Sequence, residues 1–149
     1  MRRTVRAVFY ALGFMLAVVA ASAQQTTFAG TVKADTPKGG RYSYTVINNE
    51  PQTSSLRCGV FYIQLMATIS SIQCPSGWSY TTDKKNYILF YVTSDADGIA
   101  DIRPGQSLSG FGFTSSKKYV KNSYYLASAD FSKNIQGPFA TGVVAGPSP

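Results

Sequence analysis

Beyond its first two dozen residues, no stretch of this chain sustains an apolar stripe at helical spacing. Short runs rich in Tyr, Phe, Thr, Ser, Val and Ile are instead cut by turn formers. The breaks are Pro37-Lys38-Gly39-Gly40, Asn48-Asn49-Glu50-Pro51, Pro75-Ser76-Gly77, Asp95-Ala96-Asp97-Gly98, Pro104-Gly105 and Gly137-Pro138. β-Branched and aromatic residues suit a pleated, half-buried surface, and breaks this close together favour strands joined by short connections. The pattern predicts a single all-β domain of about seven to eight antiparallel strands, a sandwich or a barrel.

The expected strands cover residues 26–33, 41–48, 56–65, 68–74, 86–93, 106–115 and 124–131. Alternation is clearest in the second, where Tyr42, Tyr44 and Val46 share one face and Ser43 and Thr45 the other. Residues 87–92 are apolar or aromatic on both faces, which predicts a central strand covered on both sides. Residues 139–144 suit an eighth strand, and Gly146-Pro147-Ser148-Pro149 a frayed tail.

The first 23 residues have a different character. Arg2, Arg3 and Arg6 precede an apolar run from Ala7 to Ala21, followed by Ala21-Ser22-Ala23. A basic start, a short apolar core and small residues at its end describe a secretory signal peptide cleaved before Gln24. The run is shorter than the roughly 20 residues of a spanning helix, and none follows it, so no transmembrane anchor is expected after cleavage. Residues 24–149 then form one domain, secreted or periplasmic.

The remaining part has eleven basic and seven acidic residues, with the basic ones scattered. A nucleic-acid partner would require a clustered basic stripe, so none is expected. The chain contains no histidine, which excludes Ser-His-Asp and Cys-His catalysis and removes the commonest metal ligand. Both cysteines, Cys58 and Cys74, lie in the exported part, where an even count argues for a disulfide. They are equidistant from Met66, so a hairpin turning there would place them opposite each other.

Three segments carry a resemblance. They are Tyr42-Ser43-Tyr44-Thr45-Val46-Ile47-Asn48-Asn49, then Cys74-Pro75-Ser76-Gly77-Trp78, then Ile102-Arg103-Pro104-Gly105-Gln106-Ser107-Leu108-Ser109-Gly110-Phe111-Gly112-Phe113. Over residues 26–131 the chain resembles small exported bacterial domains with an immunoglobulin-like β-sandwich, akin to modules of surface and adhesion-type proteins. The resemblance implies no catalytic residues.

The sharpest cluster of chemistry is Asp95-Ala96-Asp97-Gly98-Ile99-Ala100-Asp101. Asp95, Asp97 and Asp101 around a glycine turn match the middle of an EF-hand loop and form a calcium candidate. Pro104 stands where the bidentate acid belongs, and an ordinary Asx turn between strands explains the same residues. Paired-carboxylate catalysis needs two converging acids, and Asp35, Glu50, Asp83, Asp95, Asp97, Asp101 and Asp130 are spread along the chain. Trp78, Tyr80, Tyr87, Tyr91, Tyr119, Tyr124 and Tyr125 suit either core packing or a binding face for a glycan or protein. The turn before Trp78 points to a core role for its indole. Taken together, these features predict a non-catalytic exported domain with a binding or structural role at the cell envelope or outside the cell. A glycan-binding module is one alternative, and a small extracytoplasmic polysaccharide hydrolase another. An aromatic row along one sheet face would favour the glycan module.

Overall fold

A computed structural model describes residues 27–93, 100–130 and 135–149. The expected signal peptide with its cleavage site, and Asp95 and Asp97, lie outside the described residues.

Nine strands appear among the described residues: β1 (Gly30–Ala34), β2 (Arg41–Asn48), β3 (Cys58–Gln64), β4 (Ser70–Gln73), β5 (Trp78–Thr82), β6 (Tyr87–Val92), β7 (Ser107–Thr114), β8 (Tyr119–Asp130) and β9 (Ile135–Pro147). They form a four-stranded sheet in the order β1-β2-β7-β4 and a five-stranded sheet in the order β5-β6-β3-β8-β9. All strand pairs are antiparallel. No described helix is long and apolar enough to cross a membrane.

The two sheets face each other because each presents one apolar side. Tyr42, Tyr44 and Val46 of β2, with Phe111 and Phe113 of β7, meet Phe61 and Ile63 of β3, Ile88 and Phe90 of β6, and Leu126 of β8. Phe111 is the hub. It takes edge-on contacts from Phe61 at 5.5 Å, Phe90 at 5.2 Å and Trp78 at 4.9 Å between ring centroids, a geometry that ring quadrupoles favour. Asn48, fully buried at the end of β2, holds the connections together. Its side-chain amide donates to the carbonyls of Leu56 at 2.9 Å and Ile102 at 2.8 Å, and its oxygen accepts the Glu50 N–H at 3.0 Å.

The structure adds to the expected outline at three points. Trp78–Thr82 is a full strand on the edge of the five-stranded sheet rather than part of a turn. The connection after β3 is no hairpin, because Leu65, Ala67 and Ile69 are all buried. Burying three alternate apolar residues carries the chain from one sheet to the other, so β3 and β4 do not pair. The tail is ordered into β9: Gly146 and Pro147 lie opposite Val120 and Tyr119, and the Ser148 N–H donates to the Lys118 carbonyl at 2.7 Å.

Candidate functional site

Strand alternation gives the five-stranded sheet a second side. Phe61, Ile63, Ile88, Phe90 and Leu126 point to the inter-sheet core. Their neighbours Val60, Leu89, Tyr91, Tyr125 and Ala127 therefore share the outer face, where they form a separate buried cluster. Tyr62, Tyr87 and Phe139, half-buried, pack against it. The expectation that residues 87–92 are covered on both sides describes β6, whose Leu89 and Tyr91 belong to this outer cluster while Ile88 and Phe90 belong to the core.

Two stacked ring pairs lie on the outer face. Tyr62 and Tyr87 stack at 6.2 Å and 16°, and Tyr125 and Phe139 at 5.3 Å and 26°. Tyr125 is 8% exposed, and its hydroxyl has no hydrogen-bond partner among the described residues. Burial raises the pKa of its phenol, so the group stays a neutral O–H, able to donate and accept. A buried hydroxyl without a partner costs roughly 1–3 kcal/mol. The part of this cluster open to stacking is the half-buried rings of Tyr62, Tyr87 and Phe139, while the Tyr125 hydroxyl lies beneath the surface.

The other singled-out aromatics divide by side. Trp78 is buried in the core, and its indole N–H donates to the Ala100 carbonyl at 2.8 Å. Gly77, at φ 78°, makes the turn that aims it, in a backbone region open chiefly to glycine. Tyr124 is buried toward the core and Tyr91 on the outer face. Tyr80 and Tyr119 are exposed. Tyr62 and Phe139 were not singled out from sequence. The alternation of β3 assigns Tyr62 to the outer face, whereas the role of Phe139 depends on the register of β9 against β8.

The structure gives the expected disulfide a different setting. Cys58 opens β3 in the five-stranded sheet, and Cys74 follows β4 in the four-stranded sheet. The two are not opposite each other in a hairpin, and both are free thiols. Their sulfurs donate instead to the carbonyls of Val60 at 3.5 Å and Trp78 at 3.3 Å. Burial pushes the Cys58 thiol up to about 12 and raises that of Cys74.

The acids have structural settings. Glu50 accepts the Ala29 N–H at 2.7 Å. Asp83 accepts the backbone N–H groups of Lys85 at 3.0 Å and Asn86 at 2.7 Å. Asp35 lines a shallow cleft with Lys38, Arg41 and Ser43. Asp101 is the one member of the calcium candidate within the described residues, and among those residues no group of three metal-ligating side chains gathers.

No protein-family model matches the chain, and no curated protein matches it. A solved structure does: the chain is similar to an uncharacterised protein from Nocardia farcinica with an immunoglobulin-like fold. The two share 17% identity at a TM-score of 0.52, over 74% of this chain and 81% of the other. At that identity the likeness shows the fold alone.

Proposed function

We propose that this immunoglobulin-like β-sandwich is an exported, non-catalytic domain that binds a partner at the cell envelope or outside the cell through the outer face of its five-stranded sheet. The observation that carries this reading is the set of half-buried rings, Tyr62, Tyr87 and Phe139, grouped on the outer face around Tyr125. These rings offer surface on which a planar or apolar group can stack.

The stacked pairs also favour a second reading, a glycan-binding module, since sugar rings pack against aromatic faces. One experiment addresses both. Purified protein and its Tyr125→Phe and Tyr62→Ala variants are immobilised and exposed to envelope extract and to a glycan array. Capture that weakens in both variants, while their folded spectra persist, supports the outer face. Capture unchanged in both variants rejects it. Export has its own test, mass spectrometry of the protein from envelope and culture fractions. A mature start at Gln24 supports export, and an intact Met1 in every fraction overturns it.

A further inference from the structure

The basic residues are scattered along the sequence, and the fold gathers them. The connections β1–β2, β3–β4, β5–β6 and β7–β8 lie at one end of the sandwich. Backbone bonds tie them together. The Ser115 N–H donates to the Gly40 carbonyl at 2.8 Å, the Ile69 N–H to the Lys84 carbonyl at 3.0 Å and the Leu65 N–H to the Asn86 carbonyl at 2.7 Å. β8 begins at the same end and meets β3 only from Tyr124 onward, so residues 119–121 project past β3, paired with β9 alone. Lys38, Lys84, Lys85, Lys117, Lys118 and Lys121 therefore share this end, and all are exposed. Arg41, at the start of β2, lies beside them and donates to the side chains of Gln73 and Ser43. Two acids stand among these cations, Asp35 and Asp83, and the Asp83 carboxylate is turned to the N–H groups of Lys85 and Asn86.

Among the described residues, the connections at the opposite end carry Glu50 and Asp101 against Arg57 and Arg103, with no excess of either sign. The basic end is also where apolar side chains meet water. Five large apolar side chains are exposed among the described residues, and three of them, Met66, Tyr119 and Val120, stand between these lysines. Met66 lies between Leu65 and Ala67, whose burial turns it outward. Tyr119 follows Lys117-Lys118 directly and is 60% exposed.

We propose that this end of the sandwich docks on an anionic phospholipid surface. Lysines close to a negatively charged leaflet are attracted to its headgroups within a Debye length. Charge brings the end to the headgroups, and Met66, Tyr119 and Val120 then enter the boundary between headgroup and acyl chain, so two modest signals act together. The amphipathic ring of Tyr119 suits that depth. The long lysine stems let the ammonium groups stay with the phosphates while the apolar side chains go deeper. A nucleic acid or another soluble polyanion would draw the same lysines, but it offers an exposed Met and Val no apolar layer to enter. Docking by one end stands the strands upright on the surface, so the outer face of the five-stranded sheet stays in solution.

Co-sedimentation with vesicles tests this. Purified protein is mixed with vesicles of phosphatidylcholine alone, and of equal parts phosphatidylcholine and phosphatidylglycerol, at low and high salt. The wild type is expected to pellet with the mixed vesicles and not with phosphatidylcholine alone, and to bind more weakly as salt rises. Lys118→Glu and Lys85→Glu are each expected to weaken binding about fivefold or more. Arg103→Glu, the same change of charge at the opposite end, should leave it unchanged. Met66→Ser together with Tyr119→Ser should weaken vesicle binding and leave binding to heparin as it was. Circular dichroism checks that each variant is folded, and the two lysine variants lie on different connections, so either can decide if the other fails to fold. A wild type that ignores the mixed vesicles overturns the proposal. So does Arg103→Glu weakening binding as much as Lys118→Glu, which reduces the attraction to net charge. Vesicle binding untouched by the loss of Met66 and Tyr119 also overturns it and gives this end to a soluble polyanion. Tyr125→Phe is expected to bind vesicles as the wild type does, so this end and the outer face are tested separately.

Discussion

Tyr44 and Tyr125 are both tyrosines with buried rings, and they sit in opposite hydrogen-bonding states. The hydroxyl of Tyr44 donates to the Ala145 carbonyl at 2.9 Å, while that of Tyr125 has no partner among the described residues. Replacing each by phenylalanine should therefore act in opposite directions. Tyr44→Phe is expected to lose about 1 kcal/mol of stability, and Tyr125→Phe to lose none or to gain up to about 1 kcal/mol; urea unfolding of the two variants measures both. Trp78 behaves as a core residue: Trp78→Ala should cost roughly 3–5 kcal/mol, and the native indole should emit in the blue and resist iodide. Its burial was legible in the sequence because Pro75-Ser76-Gly77 leaves the next side chain little choice of direction. The state of Tyr125 was not legible, since alternation assigns a residue to a face without saying which polar groups will reach it.

At the level of elements, the turn between β5 and β6 depends on one carboxylate. Backbone N–H groups of Asn86 and Lys85, together with the Asn86 side chain and the Tyr87 N–H, hold the Asp83 carboxyl below its ordinary value of 3.8. A depressed pKa contributes stability above the unfolded-state value and loses it as pH falls toward the folded-state value. Thermal melts should therefore show the wild type losing stability below about pH 4, with Asp83→Asn losing less over the same window. The strands with clean alternation, β2 above all, were legible from residue type alone. β5 was not, because Trp78-Ser79-Tyr80-Thr81-Thr82 follows a turn signal and lacks an apolar run. Its strand character comes from pairing with β6 along its whole length, from Trp78 opposite Val92 to Thr82 opposite Ile88. The passage of residues 65–69 between sheets was hidden in the same way, since Leu65, Ala67 and Ile69 alternate just as a hairpin arm would.

For the whole molecule, composition and turn spacing were sufficient to indicate a two-layer all-β domain, whereas the sheet to which each strand belongs depends on long-range pairing that local sequence does not encode. The cysteines show this. They are close in sequence, but Cys58 lies in one sheet and Cys74 just after the last residue of a strand in the other, and both adjoin the same core. Cys58 is fully buried with its thiol pushed up to about 12, so native-state alkylation should label Cys74 ahead of it, with Cys58 reacting on unfolding. Peptide mapping without reduction reads this directly, and a linked Cys58–Cys74 peptide would instead show the sheets joined covalently. The strand order also bears on time. β3 lies at the centre of its sheet between β6 and β8, and Phe61 must find Leu126, more than sixty positions along the chain. Local pairs such as β1–β2 and β5–β6 can close early, but the middle of the larger sheet waits for a distant strand. Folding limited by such a search belongs to the millisecond-to-second range of β-sandwiches, so the newly made chain passes through an interval in which its hairpins exist and its sandwich does not.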